Sequence, residues 1–204
     1  MFDWLRFGRR DDGHQRWVVV DVETSGMNVA SDAVISIGAV AIVDGRVVPG
    51  DSLEIIVRQA TASSRENILV HGVGAQAQLN GTDPPHAVRA FMDFVGLAPM
   101  LAFHAPFDRS FLARVIKHYI NQPFDNPWLD LAELAPALSP KVPLRSLDEW
   151  LGHFGIPVAV RHSAASDAFA TALLMTRLLP EARRQGAPSF AAMQKLARQA
   201  RWLH

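Results

Sequence analysis

The sequence predicts an α/β or α+β domain built on one mixed sheet, and three observations predict it. Apolar runs suited to strands come first, at residues 17–26, 33–43 and 52–57. Stretches with helical spacing, bounded by helix start and stop residues, fill much of the chain beyond them. The second and third runs are joined through Asp44-Gly45, a strong turn signal that makes them an antiparallel pair. A meander of strands later covered by helices is the plan these features share.

In the first run, Trp17, Val18, Val19 and Val20 lead into Asp21, Val22 and Glu23. Side chains alternate along a strand, so Asp21 and Glu23 leave the same face. The second run is AVISIGAVAIV and the third SLEIIV. Residues 60–83 are polar and turn-rich, with a short helix expected near 64–70. Pro84 and Pro85 suit the start of a helix to about Val95, with Val88, Phe91, Met92 and Val95 apolar. Met100 to Phe103 reads as a short strand opening onto His104, Ala105, Pro106, Phe107 and Asp108. Residues 107–119 are amphipathic at helical spacing, with Phe107, Phe111, Leu112, Val115 and Ile116 inward. Trp128 to Leu131 forms a brief strand leading into a helix, and Pro136, Pro140 and Pro143 mark a connection. Ser146 with Glu149 forms a capping-box pattern ahead of a helix that stops at Gly155. An apolar helix over 163–179 is expected to end at Pro180. A more basic one closes the chain at 188–203, with Phe190, Met193, Leu196, Ala197, Ala200 and Leu203 on apolar positions.

Composition narrows the function. The 204 residues suffice for one sizeable core. With no cysteine, a disulfide scaffold, a thiol nucleophile and thiolate metal sites are excluded, and a cytoplasmic location is expected. No apolar stretch reaches the ~18–20 residues that span a bilayer, so no membrane span is expected. Lys and Arg number 20 against 20 Asp and Glu. A chain so balanced does not hold nucleic acid by bulk charge. Residues 1–15 read as an N-terminal extension, either a frayed tail or a segment whose Phe2, Trp4, Leu5 and Phe7 pack on the domain or on a partner.

Four acids and one histidine stand out by position. Two carboxylates ending a buried strand repel one another and resist desolvation, and a divalent cation relieves both effects. Asp108 opens a helix just after an apolar strand. Asp167 lies in an apolar helix beside Ala164, Ala165, Ala168 and Phe169, where an acid needs a reason. His162 precedes Asp167 by five positions, and the small Ser163, Ala164, Ala165 and Ser166 between them leave room for a cleft. A ligand set of oxygens suits magnesium or manganese rather than zinc.

These residues fall in three ordered motifs: VVVDVETSG with Asp21 and Glu23, LAFHAPFDRSFL with Asp108, and HSAASDA with His162 and Asp167. The chain resembles the DnaQ-like family of 3′–5′ exonucleases, the DEDDh class, which includes the proofreading epsilon subunit of bacterial DNA polymerase III. The intervening RENILVHGV resembles that family as well. The resemblance implies a ribonuclease-H-like fold, a five-stranded mixed sheet flanked by helices. It implies a catalytic domain over 16–182 and a C-terminal helix over 183–204, packed on the domain or on a partner. Two Mg²⁺ ions, replaceable by Mn²⁺, would be held by Asp21, Glu23, Asp108 and Asp167, with Asp21 bridging them and His162 as general base. The substrate is a single-stranded or frayed nucleic-acid 3′ end, met by Thr24, Ser25, Gly26, Met27, His104, Phe107 and Ser163. Ala105 stands where the family often has Asn, which bears on substrate preference rather than on metal ligation. Weighed against this proofreading-like DNA exonuclease are an exoribonuclease or oligonucleotide-trimming enzyme, a magnesium phosphatase, and a structural subunit associated with a DNA polymerase.

Overall fold

The structure is a computed structural model describing residues 15–158 and 162–201. The expected roles of Phe2, Trp4, Leu5, Phe7 and Leu203 fall outside the described residues. A five-stranded mixed sheet forms the centre, in the order β3-β2-β1-β4-β5. Strands β1 (Arg16–Thr24), β2 (Val34–Val43) and β3 (Arg46–Ile56) make the antiparallel meander, turning through Asp44 and Gly45, both at positive φ. Strands β4 (Met100–Ala102) and β5 (Trp128–Asp130) add in parallel beside β1. The expected sheet is therefore present, with its carboxylate-bearing strand in the middle.

Alternation along β1 divides the core. Val18, Val20 and Val22 face one layer, formed with α3 (Pro84–Val95) and α4 (Ala105–Ile120), where Phe91, Phe111 and Leu112 are fully buried. Trp17 and Val19 face the other layer. That layer holds α5 (Leu131–Leu138), α6 (Leu147–His153), α7 (Ala164–Arg184) and α8 (Phe190–Arg201). Asp21 and Glu23 continue the second set and so meet α7. Helices α1 (Arg65–His71) and α2 (Ala75–Leu79) sit in the connection between β3 and α3. Among the described residues no helix is long and apolar enough to cross a membrane.

Four details depart from the sequence expectation. Strand β3 begins at Arg46, because β2 pairs it from Val43↔Arg46 onward across an irregularity at Val40/Ala41. Helix α2 is an addition to the expected elements. Pro136 lies inside α5 rather than in a connection. Helix α7 runs through Pro180 to Arg184, so a domain boundary at 182 would cut a helix. An interior proline costs about 3 kcal/mol, but Leu178, Leu179 and Ala182 on both sides of it are buried, and that burial outweighs the lost hydrogen bond.

Candidate active site

Three carboxylates meet where the sheet's central strand ends. The ligand oxygens of Asp21, Glu23 and Asp167 lie within 4.8 Å of one another. The register explains the meeting. Asp21 pairs with Gly38 on β2, and α7 starts directly on top of that glycine. A Cβ at Gly38 would stand 2.1 Å from the Ala164 carbonyl carbon, so only hydrogen lets the helix approach so closely. Asp167, three residues further along α7, then stands beside the strand's acids.

Asp108 comes from the opposite layer. It is buried in the first turn of α4, and its Oδ1 accepts the Val22 N–H at 3.0 Å. It thus meets the strand between the two acids but lies outside the group of three. Burial pushes its carboxyl well above the usual carboxylate range. The Val22 N–H and its own backbone N–H act against that rise, while the charges of Asp130 and Glu23 add to it.

His162 sits at an exposed corner with φ +61°. Its backbone N–H donates to Asp167 Oδ2 at 3.2 Å, so the motif's histidine and acid are joined through the main chain. The other expected residues divide by environment. Thr24 Oγ1 donates to the Gly26 carbonyl at 2.6 Å, and Ser25 Oγ accepts the Ala33 N–H at 2.9 Å, which orders the 24–26 loop. Met27 is 79% exposed beyond it. Phe107 packs on Phe111, ring centroids 4.8 Å apart. His104 is exposed at φ +65° and caps α4, and Ser163 occupies the corresponding place ahead of α7. A cleft of 530 Å³ opens along α7, lined in part by Ala165, Ser166, Phe169, Leu53 and Glu54.

Two contributors lie outside the sequence expectation. Gly38 was only one member of an apolar run, and a glycine inside a strand was its single signal. Asp130, at the end of β5, accepts the N–H groups of His104 and Ala132, both at 2.9 Å. It therefore joins the starts of α4 and α5. Burial raises its carboxyl, and the backbone donors oppose the rise.

A donor set of carboxylate oxygens fits a hard divalent cation, which would offset both the crowding of the three acids and the burial of Asp108. Sheet, helices and site together define a ribonuclease-H-like domain with a carboxylate centre at the end of β1. More particularly, the chain belongs to the exonuclease family RNase_T, whose model matches residues 18–175. A DNA polymerase III subunit epsilon-like protein of Rhodobacter capsulatus is 33% identical over 180 residues, 87% of this chain. The chain spans only 25% of that relative's length. Among solved structures, E. coli exonuclease I in complex with a dT13 oligonucleotide matches with a TM-score of 0.73 and 19% identity, over 84% of this chain and 42% of that one. Exonuclease X in complex with 5′-overhanging duplex DNA gives 0.69 and 19%, over 89% of this chain and 99% of that one. These structural likenesses extend to the fold.

Proposed function

We propose that this chain is a metal-dependent 3′–5′ exonuclease that removes nucleoside 5′-monophosphates from single-stranded or frayed DNA 3′ ends, in a proofreading-like role. The convergence of Asp21, Glu23 and Asp167 within 4.8 Å carries the reading. Membership of the exonuclease family supports it. So do structural neighbours solved as complexes with DNA.

Asp21, Glu23, Asp167 and Asp108 would hold two divalent cations, Mg²⁺ by preference and Mn²⁺ in its place. When bound, such ions supply Lewis-acid stabilisation of the charge that develops on the phosphodiester. The protein's own groups do the rest. His162 takes the proton of the attacking water on a ring nitrogen, a role suited to a side chain with a reference pKa of ~6.5. Asp167 holds the His162 main chain in place by accepting its N–H. Thr24, Ser25 and Gly26 present polar groups and open backbone to the terminal nucleotide. Met27, His104, Phe107 and Ser163 border it. A DNA polymerase is the protein partner that the name of the Rhodobacter relative suggests, and the cytoplasm is where such a pair would work.

The test is a time course on 3′-extended labelled DNA and matched RNA with Mg²⁺, using wild type, Asp21→Ala and His162→Ala. We expect shortening one nucleotide at a time from the 3′ end, faster on DNA and abolished by EDTA and by Asp21→Ala. His162→Ala should keep metal binding and lose about 10²–10⁴ of the rate. Internal cleavage products, or unchanged rates in both variants, would overturn the reading.

A further inference from the structure

The RENILVHGV stretch forms α1 and its exit, and none of its residues belongs to the carboxylate centre. It nevertheless touches both sides of that centre. At the end of β1 the pairing register with β2 shifts between Glu23 and Thr24. The Thr24 carbonyl at this irregularity accepts the side-chain N–H of Asn67 from α1, Nδ2 to O 3.1 Å. At the other end of α1, Gly72 is the left-handed cap. A Cβ placed there would lie 3.8 Å from the His162 carbonyl oxygen.

The orientation of Asn67 is set by a buried histidine. His71 is 1% exposed. Its Nδ1 accepts the Val73 N–H at 2.9 Å, so the ring proton resides on Nε2. Nε2 lies 2.9 Å from Asn67 Oδ1 and 3.1 Å from Ser63 Oγ. With Oδ1 receiving that proton, the Asn67 amide must turn its NH₂ toward Thr24. Gln78, fully buried, donates to Ser63 Oγ at 3.0 Å and to the Val73 carbonyl at 2.8 Å, which closes the network around the ring.

We propose that Asn67, oriented by His71, is a positioning residue that fixes the end of β1 and thereby the placement of Glu23 for cation binding. The inference rests on the metal-site reading above. Groups that hydrogen-bond a metal ligand directly change metal affinity or activity by about 10–100-fold when altered. Asn67 acts one residue away, through the Thr24 carbonyl, so the low end of that range is expected.

Asn67→Asp isolates the claim. The new side chain keeps its shape and still accepts from His71. It places an acid in the first turn of α1, where negative charge is favoured. It replaces the donor to Thr24 with an anionic oxygen that faces the Thr24 carbonyl, so the hydrogen bond becomes a repulsion at the end of β1. We expect Mn²⁺ affinity, followed by the spin-resonance signal of free Mn²⁺, to fall about 10-fold. Turnover should fall in parallel, with KM for the oligonucleotide little changed and the melting temperature near that of wild type. Leu138→Ala, in the core far from the site, should lower the melting temperature and leave Mn²⁺ affinity alone. An Asn67→Asp protein that binds Mn²⁺ and turns over like wild type overturns this inference while the parent reading stands. A wild type that binds no Mn²⁺ overturns the parent reading and this inference with it.

Discussion

At the scale of single residues, the carboxylate centre depends on a hydrogen atom as much as on its acids. Gly38 faces Asp21 across the β1–β2 pair, and the Ala164–Ala165 peptide lies where its Cβ would be. Gly38→Ala therefore forces the start of α7 off the sheet. Asp167, in the same first turn, moves with it, away from Asp21 and Glu23. A displacement of about 1 Å in a positioned catalytic group can cost about 10²-fold in rate, and that is the loss expected in the Mg²⁺-dependent assay. Gly50→Ala is the control, since nothing lies within 4 Å of its added Cβ; it should leave the rate unchanged. Equal rates in the two variants would show that α7 can shift without disturbing the site.

Among the elements, α6 makes the clearest case of a local sequence signal realised in three dimensions. Ser146 Oγ accepts the Glu149 N–H, and Glu149 Oε2 accepts the Ser146 and Arg145 N–H groups. Ser146→Ala should lower stability by about 1 kcal/mol in chemical denaturation. The hydrogen bonds from Ser146 and Arg145 hold the Glu149 carboxyl below the usual range. Such a group contributes stability that is present above the unfolded-state pKa of ~4.3 and lost as pH falls through the lower folded-state value. The gap in melting temperature between wild type and Glu149→Ala should therefore be open at neutral pH and close as the pH drops below about 4. Other elements were legible for the same local reasons. The Trp17–Val20 run, the Asp44-Gly45 turn and the Pro84-Pro85 start each carry their instruction within a few residues. What was not legible depends on distant partners. Arg46–Val48 becomes strand by pairing with β2, and Pro49–Asp51 fills the register break before pairing resumes at Ser52, an arrangement set by β2 rather than by local residue type. Pro180 looked like a stop, yet the core on either side of it carries α7 onward. In the site, the acids announced themselves by apolar surroundings: Asp21 and Glu23 at the end of a strand, Asp108 just after one, and Asp167 within an apolar helix. The Gly38–Ala164 approach and the Asp130 link between two helix starts are backbone geometry, which leaves almost no trace in residue type.

Taken as a whole, the molecule closes its sheet at the β5 edge with its own C-terminal helix. Met193 is fully buried and Ala197 nearly so. Phe190 sets its ring edge-on to Trp17, centroids 5.6 Å apart, and Gln194 Nε2 donates to the Trp128 carbonyl on β5 at 2.7 Å. An uncovered edge strand invites pairing with other chains, so this cover serves solubility as well as stability. It also bears on whether the 188–203 segment belongs to the domain or waits for a partner. If α8 is integral, Met193→Ala removes a core side chain and should cost about 2–5 kcal/mol. For a domain of this size that is a fall of roughly 5–15 °C in melting temperature. Because α8 packs on Trp17 at the start of β1, while the three converging carboxylates stand at its other end, turnover measured well below the melting point should stay at the wild-type level. A melting temperature unmoved by the substitution would mean that the helix is not held against the sheet in solution, and its apolar face would then be available to another protein.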